Sequence, residues 1–211
     1  MTGSGNGFKM VIYDCDGVMF DSIEANFAFY RRVMDHMGMV LDWDDPDVIR
    51  IIHTFANREV MNHFFRDEAE RERAISYAGC IDYRSLIPLM KMEEGFRETL
   101  DELRGRLGLA VCTNRSTSID AVLEEFGLSE YFSFVMTAAK SPFPKPHPEP
   151  LLRILGHFSL SADDVIFVGD SAVDSQAAAA AGVPFVAYKS DLPGIARIDR
   201  HEDILGLVGI R

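Results

Sequence analysis

Asp14 and Asp16 stand two residues apart at the end of an apolar run, Met10-Val11-Ile12-Tyr13, and Gly17 follows directly. On extended chain alternate residues share a face, so the two carboxylates point one way and Cys15 the other. A buried strand that ends on two carboxylates loses stability unless something compensates them, and a divalent cation suits clustered oxygen ligands. Gly17 lets the backbone turn where a side chain would obstruct it. The same run also fits a strand followed by an ordinary Asp-rich turn.

Two further strand ends carry polar groups. Leu109-Ala110-Val111-Cys112 ends on Thr113-Asn114. A hydroxyl and the free N–H groups of a strand-to-helix turn can hold an anion, although loop chemistry alone explains the pair. Val165-Ile166-Phe167-Val168 ends on Gly169-Asp170, with Asp174 four residues on. An i, i+4 pair in a first helical turn places both carboxylates on one side, able to hold a cation; an N-cap with dipole-complementing aspartate reads the same way. In an open parallel sheet, ligands bind beyond the carboxyl ends of the strands. All three polar groups fall at that end, where chance would scatter them over both.

Lys145 lies in Pro142-Phe143-Pro144-Lys145-Pro146-His147-Pro148-Glu149-Pro150. Proline at every second position stiffens the segment and holds each preceding residue extended. The even spacing does not match a PxxP ligand, so the segment reads as a rigid loop presenting one lysine near the catalytic edge. His147 reads as a loop or surface histidine.

Positioning these groups requires a sheet. Apolar runs at residues 8–13, 107–112, 131–136, 165–168 and 185–188 alternate with helical patterns at 92–104, 116–126, 150–158 and 175–181. Ser116 and Ser161 are candidate N-caps, and Gly127 and Gly182 candidate stops. This alternation predicts an α/β protein with a parallel sheet covered on both faces. Residues 22–87 break the rhythm, with helical patterns at 22–37, 57–65 and 68–77 and arginine but no lysine. They read as a helical unit inserted after the first strand, above its carboxylates.

With 211 residues, 47% of them hydrophobic, the chain can bury a substantial core. Its net charge of -12 argues against nucleic acid or an anionic membrane as partner, while a metal and a few placed cations still allow an anionic small molecule. Cys15, Cys80 and Cys112 are widely spaced, without a CxxC pair, and read as free thiols in a reducing compartment. Residues 1–7 have no apolar leader, and no stretch is long enough to span a bilayer. The expectation is a cytoplasmic protein, a monomer or small homo-oligomer.

In this order, Asp14-Cys15-Asp16-Gly17, Thr113-Asn114, Lys145-Pro146 and Gly169-Asp170 with Asp174 resemble the haloacid dehalogenase superfamily, in its phosphatase branch with a helical cap (phosphoglycolate phosphatase and β-phosphoglucomutase relatives). The resemblance implies a Rossmann-like, doubly wound core from residues 1–21 and 88–211, with a cap at 22–87. It implies that Asp14 attacks phosphorus and carries an aspartyl-phosphate, and that Asp16 serves as acid and then base, kept protonated by neighbouring carboxylates. Thr113, Asn114 and Lys145 would hold the phosphoryl group. Mg²⁺ would sit on Asp14, the Asp16 backbone carbonyl, Asp170 and Asp174.

The substrate implied is a small phosphorylated metabolite. A dehalogenase lacks the second aspartate, and the phosphonate-cleaving relatives need a cap lysine, so Asp16 and the lysine-free insert speak against both. A sugar-phosphate mutase or a non-enzymatic phosphate-binding protein would keep the same fold. Specificity should lie in the insert, where Arg31, Arg50, His53, Asn57 and Arg58 are either substrate contacts or a solvated helix face.

Overall fold

The computed structural model describes residues 7–210, so the reading of residues 1–7 lies outside the described residues except at Gly7. In chain order the first half holds β1 (Met10–Tyr13), β2 (Phe20–Asp21), α1 (Ile23–Met37), α2 (Pro46–Thr54), α3 (Asn57–Phe64), α4 (Glu68–Cys80), β3 (Lys91–Met92) and α5 (Phe96–Leu103). The second half holds β4 (Gly108–Cys112), α6 (Ile119–Glu125), β5 (Phe134–Met136), α7 (Glu149–Phe158), β6 (Val165–Gly169), α8 (Ala172–Ala181), β7 (Phe185–Tyr188), β8 (Ala196–Ile198) and α9 (Asp203–Leu207).

Six strands form one parallel sheet in the order β5-β4-β1-β6-β7-β8. Because side chains alternate across a strand, each central strand feeds two cores. Val11 and Tyr13 of β1 pack with Val111, Ile166 and Val168 against Leu100 of α5, Val122 of α6 and Ile204 of α9. Met10 and Ile12 pack with Ala110 and Phe167 against Ile154 of α7 and Ala177 of α8. Burial on both faces explains why these strands read as continuous apolar runs. The α/β, doubly wound, Rossmann-like core is thus observed. The chain leaves β1 toward β4 and β5, then crosses to β6, so the order reverses beside β1.

Several element boundaries differ from the sequence reading. β8 was not anticipated, because Ala196-Arg197-Ile198 is short and carries one charge. β5 is three residues, not six, because Tyr131 ends the preceding turn and Phe132 and Ser133 are irregular before the strand begins. α5 starts at Phe96 rather than residue 92, since Met92 pairs with Phe20 in the antiparallel ribbon of β2 and β3. α6 starts at Ile119, which leaves Ser116 in the loop rather than at an N-cap. Ser161 begins only a single 3-10 turn, Ala162–Asp164.

Between β2 and β3 the chain forms α1 to α4 and no strand. The boundaries have local causes. Asp45 accepts the Asp47 N–H ahead of Pro46, Asp67 accepts the Glu70 N–H, and Gly38 ends α1 in the left-handed region. These helices share a core of their own, in which Tyr30, Val33 and Met34 of α1 meet Ile51 and Ile52 of α2, Val60 and Met61 of α3 and Ala74 of α4. Burying each of the large aliphatic side chains contributes about 1.5–3 kcal/mol. Among the described residues Cys15 and Cys112 are buried free thiols and Cys80 an exposed one.

Candidate active site

Asp14 leaves the carboxyl end of β1 with its N–H donated to the Val168 carbonyl of the adjacent β6, which fixes the carboxylate between the two strands. Gly17, at φ +74°, closes the turn that follows. A β-carbon on Gly17 would come within 2.0 Å of an Asp170 carboxylate oxygen, so the missing side chain is the space that Asp170 occupies. At the end of β6, a β-carbon on Gly169 would lie 2.5 Å from that of Asp174. Both glycines let carboxylates approach backbone.

Oxygens of Asp14, Asp170 and Asp174 lie within 4.8 Å of one another. The route differs from the sequence expectation of one helical turn carrying Asp170 and Asp174. Asp170 stands before the helix, and Asp174 sits in the first turn of α8, accepting the Ser171 N–H at 3.1 Å and the Ser171 hydroxyl. Lys145, only 1% exposed, donates to Asp14 at 2.7 Å and to Asp174 at 2.5 Å. Burial alone would push its ammonium down, but the two carboxylates outweigh burial and hold it well above its ordinary value.

That leaves Asp170 without a salt-bridge partner among the described residues. Burial, together with the charges of Asp14 and Asp174, raises its carboxyl to about 8. Asp14 is raised to about 7, by burial first and then by Asp174 and Asp16, against the pull of Lys145. An all-oxygen donor set that repels itself in this way fits a hard divalent cation.

Asp16 departs from its expected setting. Its carboxylate accepts from Arg115 Nε at 2.8 Å and Nη2 at 2.5 Å, from the Ser22 hydroxyl, and from Asn26 at 3.4 Å. Burial would raise its pKa, but the Arg115 charge and these hydrogen bonds prevail and hold it below the ordinary carboxylate value. The expectation that neighbouring carboxylates keep Asp16 protonated is therefore corrected. It is an acceptor, with Oδ1 approached by Ser22, Asn26 and Arg115 Nη2 and Oδ2 by Arg115 Nε alone.

Arg115 itself was missed. It directly follows Thr113-Asn114, and the available signal was an arginine at a polar strand end. Thr113 is buried, and its Oγ1 accepts the Arg115 backbone N–H at 3.1 Å. Asn114 donates to the Lys145 carbonyl and accepts the Lys145 N–H, both at 3.0 Å, so its side chain fixes the backbone that presents the lysine.

A cavity of about 330 Å³ joins Asp14, Asp16, Asn114, Arg115, Lys145 and Asp170 to the helices above, where Asn26, His53, Asn57 and Tyr83 lie in its wall beside apolar residues such as Phe29 and Ile52; Thr113 and Asp174 do not line it. His53 and Asn57 thus reach the site. Arg31, Arg50 and Arg58 do not line it; they lie exposed, over the Trp43 ring, paired with Asp47 and paired with Glu72 respectively. His147 is an exposed loop residue beside Phe143.

A family model described as haloacid dehalogenase-like hydrolase matches residues 11–188. A phosphoglycolate phosphatase of Pectobacterium atrosepticum is 36% identical over 68% of this chain and 64% of that protein. One from Haemophilus influenzae is 30% identical over 85% of this chain and 84% of its own length. A crystal structure of a HAD-superfamily hydrolase, subfamily IA, variant 1, from Geobacter sulfurreducens superposes with TM-score 0.84 at 57% identity, covering 95% of this chain and 99% of that one.

Proposed function

Since the chain belongs to the haloacid dehalogenase-like hydrolase family, we propose that it is a phosphatase that hydrolyses a small phosphorylated metabolite through an aspartyl-phosphate on Asp14. The observation that carries this reading is the Asp14 carboxylate, fixed at the sheet's switch point and hydrogen-bonded to a buried lysine, with a second carboxylate two residues on.

An Asp14 oxygen forms the new bond to phosphorus as the ester P–O bond breaks. Asp16, ionised in its Arg115 pair, must first take up a proton from solvent; it gives that proton to the leaving oxygen, then takes one from the water whose oxygen attacks the phosphoenzyme. Asp14 departs as a carboxylate and inorganic phosphate is released. Lys145, Thr113 and Asn114 hold the phosphoryl oxygens, and the ammonium counters charge that would otherwise repel the nucleophile. Asp14, Asp170, Asp174 and the Asp16 backbone carbonyl are the groups that would hold Mg²⁺. When bound, the ion would neutralise charge between nucleophile and phosphate.

Residues 22–87, with their own core, act as a cap over a catalytic core of 1–21 and 88–211. The relatives' names make 2-phosphoglycolate the first substrate to test. Net charge -12 supports a small-molecule partner rather than nucleic acid. No helix among the described residues is long and apolar enough to cross a membrane.

The test is phosphate release from a panel of monoesters, with Mg²⁺ and with EDTA, for wild type and Asp14→Asn. Metal-dependent release lost in a folded Asp14→Asn protein is expected. Release that survives in the variant contradicts the mechanism, and isomerisation of a sugar phosphate without release contradicts the hydrolase.

A further inference from the structure

The cavity has two unlike ends. Where the strands finish, its wall is charged, with Asp14, Asp16, Arg115, Lys145 and Asp170. Toward the helices it is apolar, lined by Phe29 and Tyr30 of α1, Ile52 of α2, Phe55 just after it, Ile75 of α4 and Ile81 just after that. Tyr30 and Ile52 belong to the insert's own core, and the other four pack against it. Packing within the insert therefore holds this apolar end in shape before any ligand arrives.

The polar side chains around Asp16 are already engaged. Asn26 Oδ1 meets Arg115 Nη2 at 3.4 Å and accepts the Tyr83 hydroxyl at 3.3 Å, which turns its amide nitrogen to His53 Nδ1 at 3.1 Å. His53 Nδ1 is then an acceptor, a role that a protonated ring does not offer. Arg115 pairs with Asp16, and Lys145 with Asp14 and Asp174. The two cations in the wall are thus committed. A second anionic group on a substrate would lose its hydration here without gaining a counter-charge.

Volume sets the size of the occupant. An apolar cavity of roughly 150 Å³ holds benzene, and this one, at about 330 Å³, has room for a phosphoryl group and one ring beyond it. A two-carbon leaving group would leave the apolar walls against water, which such surfaces hold poorly. Resting on the phosphatase reading, we propose that the substrate is a phosphate monoester of an apolar, ring-sized alcohol, selected by Phe29, Ile52, Phe55, Ile75 and Ile81. The phosphoryl group takes the charged end, and the leaving group fills the apolar one.

The experiment measures kcat/KM with Mg²⁺ for benzyl phosphate, ethyl phosphate and 2-phosphoglycolate, and Ki for benzylphosphonate against ethylphosphonate. Benzyl and ethyl alcohols are similar leaving groups, and the phosphonates are not hydrolysed, so both comparisons read the cavity rather than the chemistry. Wild type should favour benzyl over ethyl by roughly 10- to 100-fold, the scale of burying one large apolar side chain. The phosphonates should follow the same order, and 2-phosphoglycolate should fall below benzyl phosphate. Ile75→Asn makes the wall polar. Gly79 also lines the cavity and a β-carbon there meets nothing within 4 Å, so Gly79→Leu fits and narrows it. Each variant should pull the benzyl-to-ethyl ratio toward unity. A wild-type ratio near unity overturns the proposal, as does a preference for 2-phosphoglycolate over benzyl phosphate, or a ratio that neither variant changes. Should Ile75→Asn not fold, wild type and Gly79→Leu decide. Turnover of the esters without the benzyl preference defeats this proposal alone; no release from any of the three defeats the phosphatase reading too.

Discussion

The three clustered carboxylates tie catalysis to a stability cost. Asp14 and Asp170 bind protons in the folded state up to about 7 and about 8, against 3.8 for an unperturbed aspartate. Between about pH 4 and pH 8 the folded protein therefore holds protons that the unfolded chain has released, and metal-free stability falls as pH rises through that window. Asp170→Asn removes one of the repelling charges. In EDTA at pH 8 it should raise unfolding stability by about 1–3 kcal/mol while abolishing both the Mg²⁺-dependent rise in Tm and turnover. Denaturant melts with and without Mg²⁺ check this, and a variant less stable in EDTA than wild type contradicts it. At this scale the acidic residues were legible, because strand ends with clustered aspartate stand out in sequence. Arg115 was not, because its meaning comes from a partner 99 positions earlier.

At the scale of elements, the turn after β1 is held from two sides. Gly17 makes room for Asp170 below it, so Gly17→Ala meets both a carboxylate at 2.0 Å and a left-handed backbone. A loss of about 1–3 kcal/mol with sharply weakened activity is expected; wild-type stability and rate in that variant would refute the packing argument. From the other side, His201 ahead of α9 bonds the Val18 carbonyl through Nε2 at 2.9 Å and stacks on Tyr188. Burial lowers His201 to about 4 from 6.5, so the unfolded state takes up a proton that the folded state excludes. Its contribution is full above about pH 6.5 and declines toward pH 4, by about 3 kcal/mol in all. His201→Gln should remove that slope, read as the wild-type minus variant stability across the window; parallel pH profiles would contradict it. The central strands were legible because each is buried on both faces. β2 and β3 were not, since two-residue strands leave no periodicity, and α2 was overlooked despite its Asp45-Pro46 start.

Across the whole molecule, the chain enters and leaves the four helices with their own core through the two-residue ribbon Phe20↔Met92 and Asp21↔Lys91, while Ala25 and Phe29 of α1 also pack on the sheet's core. The paired crossing points suit a hinge, and the proposed cap should close over a bound phosphoryl group. Amide exchange near Asp21 and Pro88 should slow with a phosphate analogue and Mg²⁺, and unchanged exchange there would argue for a rigid arrangement. The insert's helical character was legible from its broken rhythm. Which of its side chains face the cavity was not, because Arg50 and Arg58 differ from His53 and Asn57 only in how their helices pack. The central claim is covalent transfer to Asp14, and the most direct measurement is mass spectrometry of peptides from enzyme acid-quenched during turnover. A phosphoryl adduct on the peptide carrying Asp14, absent in Asp14→Asn, is the predicted result. Steady phosphate release with no adduct on that peptide, even under rapid quench, would contradict it.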